Sequence, residues 1–157
     1  MFGKIIFLIF IVVFSACSCA ETLLSDTPHF DSTKIGNVGL TEMQAKSLLV
    51  FSLKSEKYNI SRPGIFIDDD LKDKQGKSFH PGYYTFGVGY DSPSAGATDI
   101  WGMFSISPKT GDVWEEYTCK QISFPELQKI QQIIIKKTGV TFADEVAQRR
   151  GLGCTNE

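Results

Sequence analysis

Three consecutive aspartates, Asp68, Asp69 and Asp70, with Asp73 three residues on, are the densest group of oxygen ligands in the 157-residue chain. A hard cation needs several such oxygens close together, so calcium is the first chemistry to test. The spacing fails: Leu71 and Lys72 stand where a calcium loop requires ligands, and no bidentate glutamate closes the set. The group reads instead as an acidic loop tip suited to a basic partner surface. Cys119 with His80 would make a thiol nucleophile and its base, but neither histidine lies in a nucleophile motif, and Cys119 has Cys154 as a disulfide partner. His29 and His80 stand far apart without nearby cysteines, which gives no zinc spacing. Gly87 and Gly89 alternate inside a strand pattern rather than joining strand to helix, so they form no phosphate loop, and their bare face invites close approach by a helix or a partner backbone. No catalytic residue, metal or cofactor is assigned.

Aromatic residues cluster between Tyr83 and Tyr117. Trp101 and Trp114 fall in strands predicted to face each other. They serve either as core beneath a helix or as an outward aromatic patch rimmed by Asp112, Glu115 and Glu116, the composition of a protein-binding surface. The candidate partner-binding set is therefore Asp68, Asp69, Asp70, Asp73, Trp101, Trp114 and Glu116, carried by a loop at 68–81 or 91–98 and by the exposed side of a hairpin.

The elements that must position these residues follow from periodicity and caps. Thr41 with Gln44 three residues on opens a helix that runs to about Tyr58, with Leu48, Leu49 and Leu53 on its apolar side. A short strand at 65–67 precedes the polar stretch 68–81. Strand periodicity then covers 83–91 and 99–107 around a loop at 92–98. Pro108-Lys109-Thr110-Gly111 is a turn, and 112–119 returns as a strand. Ser123 and Glu126 form a capping box for a helix through Lys137, stopped by Gly139; Thr141 and Asp144 repeat the pattern for a short helix to Arg150. The order implies an α+β fold: a curved antiparallel sheet of three to four strands, with an N-terminal helix and one or two C-terminal helices packed on one face.

Residues 1–20 supply Lys4, an unbroken apolar run from Ile5 to Phe14, and small residues ending at Ala20, the pattern of a bacterial secretory signal. Residues 21–39 read as an extended leader and 40–157 as a single domain. Phe14-Ser15-Ala16-Cys17 also resembles a lipobox, and lipidation of Cys17 would tether the protein to a membrane. Cleavage after Ala20 removes Cys17 and Cys19 and leaves one pair, Cys119 and Cys154, expected to bond in an oxidising compartment such as the periplasm. The formal charge of −2 and the lack of a basic block argue against nucleic acid as the partner.

Ile106-Ser107-Pro108-Lys109-Thr110-Gly111-Asp112-Val113-Trp114, placed after an exported leader and before a cysteine and an amphipathic helix, resembles small exported bacterial immunity proteins that neutralise secreted effectors. The phrase ending Thr110-Gly111-Asp112-Val113-Trp114 also resembles repeats of exported PepSY-type inhibitory modules. The resemblance implies an inhibitor that occludes a partner protein, an effector or a hydrolase acting in the periplasm, rather than an enzyme. A module holding a small ligand or sensing envelope stress through the concave sheet is the alternative.

Overall fold

The computed structural model describes residues 29–92 and 96–154. The expected export signal, Cys17 and the first part of the leader lie outside these residues. Five antiparallel strands in the order β1-β2-β3-β4-β5 form one sheet: β1 (Ile65–Ile67), β2 (Tyr84–Ser92), β3 (Ala97–Ile106), β4 (Val113–Glu115) and β5 (Lys120–Ile122). One helix, α1 (Glu42–Ser55), precedes them, and α2 (Pro125–Thr138) and α3 (Phe142–Arg150) follow. The fold is α+β, with one more strand than the sequence pattern delivers.

α1 starts where its cap predicts. Gln44 N–H donates to the Thr41 hydroxyl while Thr41 N–H donates to the Gln44 side chain, so two otherwise orphaned donors satisfy each other's residues. Thr141 and Asp144 close the same box at α3. The box expected at Ser123 does not form. Phe124 takes the N-cap position, Pro125 opens α2, and the Ser123 hydroxyl accepts from Gln128 instead.

The return strand expected over 112–119 breaks after Glu115. The Glu115 carboxylate accepts the backbone N–H groups of Tyr117 and Thr118, each at 3.0 Å, and Cys119 adopts a left-handed φ of 51°. That turn reverses the chain and produces β5. The β3–β4 turn is closed by Ser107 N–H to Asp112 O at 2.9 Å, with Gly111 at φ 74°. A Cβ on Gly111 would stand 2.4 Å from Ile134 Cδ1, so glycine serves both the turn and the close seating of α2.

Phe86, Val88, Phe104, Ile106, Val113 and Ile122 on one face of the sheet pack with Leu48, Leu49, Leu53, Leu127, Ile130 and Ile134 of the helices. Because strand side chains alternate, Trp114 beside Val113 points to the other face. There it joins Tyr83 and Leu152 in a smaller cluster, with Cys154 against it.

Candidate partner-binding surface

The acidic stretch begins as an extension of the sheet. Asp68 N–H donates to Gly87 O at 2.9 Å and Leu71 N–H to Thr85 O at 2.7 Å, which holds residues 68–71 along the outer edge of β2. Alternation along this extended segment separates the aspartates. Asp69 points outward with its side chain 88% exposed and meets Lys46 at 2.9 Å. Asp70 points in: its side chain is 1% exposed, accepts Thr85 N–H at 2.8 Å and pairs with Lys72. The hydrogen bond to Asp70 raises the Lys72 ammonium above its usual range. Asp70 is thus a buried staple rather than a presented acid. Asp68 Oδ2 lies over Gly87, 2.6 Å from where a Cβ would stand, and Phe66 fills the corresponding space at Gly89. The bare glycine face accommodates these neighbours, not a helix or a partner backbone. Asp73 caps its own turn by accepting from Gln75 N–H and Lys77 N–H, both at 2.8 Å.

Glu116 occupies the second face of the sheet. One carboxylate oxygen accepts from the Ser105 hydroxyl; the other lies 3.3 Å from His80 Nε2, and His80 Nδ1 is 3.2 Å from Gly151 O. Thr85 extends the line by its hydroxyl contact to Ser105 at 2.9 Å. The carboxylate stands between imidazole and hydroxyl, and Ser105 is fully buried, so this is not the order of a hydrolytic triad. It fastens the 68–81 segment to the C-terminal turn. Cys119 and Cys154 are bonded, with Cα atoms 5.1 Å apart, and close that turn over the sheet.

The two tryptophans do not share an aromatic patch. Trp101 sits at a bulge: Val88 pairs with Gly102 and Gly89 with Ile100, which leaves Trp101 as the extra residue of β3. Its ring stacks on Tyr90 at 6.3 Å, and the Arg62 guanidinium lies 4.3 Å from the Tyr90 centroid. Trp114 is 7% exposed, and among the described residues its indole N–H has no hydrogen-bond partner. The proposed rim is also internal. Asp112 is buried and accepts from Arg149 Nε at 2.8 Å, while Glu115 is spent on its turn. Sequence reasoning missed two exposed aromatics, Phe79 at 51% and Tyr117 at 65%, each the chain neighbour of a member of the His80–Glu116 pair. Their signal was a bulky ring next to turn residues, which a strand assignment through 119 concealed.

A cleft of about 530 Å³ lies beside the hairpin turn, lined by Pro81, Gly82, Lys109, Val140 and Gln148 among others, all loop or helix residues. The core face of the sheet is packed with helices. Among the described residues no group of three or more His, Cys, Asp or Glu could hold a metal ion, and no helix is long and apolar enough to cross a membrane.

The family model described as "T6SS, Immunity protein Tgi2PP" matches residues 39–146. The chain belongs to this immunity-protein family. A chain in a structure described as that of a type VI secretion system effector-immunity complex from Pseudomonas protegens is 47% identical, with a TM-score of 0.76. The match covers 82% of this chain and 100% of that one. No curated protein matches. The immunity-family match contains all five strands and both closed capping boxes, but it stops inside α3 and leaves Cys154 beyond its end.

Proposed function

We propose that this immunity protein binds a secreted type VI effector and neutralises it in the periplasm by steric occlusion, without enzymatic activity of its own. The family match over residues 39–146 carries the reading, and the likeness to a chain of an effector-immunity complex supports it. The partner class is an effector that attacks the envelope, such as a hydrolase. The contact surface comprises the outward acid Asp69 with Asp73, together with Tyr117 and the exposed side of the β2–β3 hairpin, while Asp68 and Glu116 serve to hold their segments in place. Such a surface combines negative charge with aromatic anchors, the composition that meets a basic, catalytic cleft. Export through residues 1–20 places the protein where the effector acts, either free or anchored through Cys17.

The test mixes the purified chain with a type VI effector of the kind seen in the Pseudomonas protegens complex and with any effector encoded near its own gene. A one-to-one complex in which effector turnover falls in proportion to the immunity protein added supports the reading. An effector that remains active and unbound, or a chain found only in the cytoplasm after fractionation, overturns it.

A further inference from the structure

β3 is ten residues long, yet β4 pairs only with Phe104, Ser105 and Ile106. Glu116 N–H extends that ladder to Met103 O at 2.9 Å. From Ala97 to Gly102, β3 has β2 on one side and, among the described residues, no backbone partner on the other. β2 has no comparable gap, because Gly64, β1, Asp68 and Leu71 bond its outer edge from Asp91 back to Thr85. A row of unpaired strand backbone is a template for another strand.

We propose that this free edge of β3 receives an extended segment of the effector by strand addition, a segment with a basic side chain facing Asp99 and an apolar one against Ile100 and Trp101. The proposal rests on the effector-binding reading above. Charge selects the occupant. Residues 91–99 contain two aspartates and neither lysine nor arginine. Asp91 is engaged by the Thr98 hydroxyl at 2.6 Å, whereas the exposed Asp99 side chain has no partner among the described residues. A second copy of this chain is a poor occupant, since antiparallel pairing of two β3 edges about their middle brings Asp99 toward its own copy, and like charges on facing strands repel. Apolar contact is available too: Ile100 is 47% exposed, and Trp101 is held in place by its stack on Tyr90, whose ring also carries Arg62. The bulge and Asp99 together discourage indiscriminate strand pairing and leave a cationic segment as the favoured guest.

Hydrogen exchange on the intact chain, alone and with the effector that it binds in the preceding test, tests the proposal. Amides of residues 97–102 that carry no ladder bond exchange quickly in the free protein and should slow about tenfold or more in the complex. Asp99→Lys, a surface change that leaves the core intact, should weaken the complex about tenfold with unchanged circular dichroism. A complex that forms with these amides unprotected, or that tolerates Asp99→Lys, overturns strand addition and leaves effector binding standing. A chain that dimerises through β3 overturns the choice of occupant. Failure to bind the effector at all removes both readings.

Discussion

Asp69 and Asp70 are neighbours of one residue type with opposite duties. Removing the buried carboxylate leaves Thr85 N–H without its acceptor and Lys72 with the Ser78 hydroxyl but no counter-charge. Asp70→Ala should therefore lower the free energy of unfolding by about 2–3 kcal/mol. Asp69→Ala breaks only an exposed ion pair and should change stability by less than about 0.5 kcal/mol while weakening effector capture. Urea denaturation and calorimetric binding separate the two outcomes. The run of aspartates was legible as charge but not as burial, because reading 68–81 as a loop hides the two-residue alternation imposed by its bonds to Thr85 and Gly87. A second residue carries a pH signature. Burial, reinforced by Asp112 and opposed in part by Arg149, raises the Glu145 carboxyl above its ordinary 4.5. A raised carboxyl contributes stability that is present below the ordinary value and lost as pH rises through the higher folded one. Glu145→Gln has no such slope, so thermal melts should show the native protein losing ground to the variant over that window.

The elements were legible where a local signal and the tertiary context agree. Thr41 and Thr141 each have a partner three residues on and both boxes form, whereas Ser123 has the same spacing but lies before Phe124 and Pro125, and proline fixes the helix start by its own φ. The split of the expected 112–119 strand was not legible, since it depends on Glu115 turning back to its own chain. The pairing of Cys119 with Cys154 was read from the parity left by the expected cleavage after Ala20 and from an oxidising address, and the two are bonded. What parity does not reveal is that the bond holds Leu152 over Trp114. Replacing both cysteines with serine should cost roughly 3–4 kcal/mol on the chain-entropy view of a cross-link. The same variant should make Trp114 more accessible to an aqueous quencher; unaltered stability and quenching would show that the tail stays seated without the bond.

At the scale of the whole molecule, the sheet packs one face against the helices, and the features proposed for recognition lie at its edges: the acidic segment outside β2, the 116–119 turn, and the outer part of β3. Binding driven by such exposed acids should weaken as salt rises, chiefly through slower association. Stopped-flow measurements between low and physiological ionic strength should show that fall, and an association rate indifferent to salt would place the contact elsewhere. The bulge at Trp101 adds a longer-term consequence. One surplus residue uncouples the side-chain alternation of the outer part of β3, residues 97–100, from that of Phe104 and Ile106 in the core. Loss or gain of a single residue there would turn over the side chains of residues 97–100 while leaving the hydrophobic register untouched. Under the strand-addition proposal, a three-nucleotide deletion would re-aim the recognition edge, a far shorter mutational path than redesigning a core.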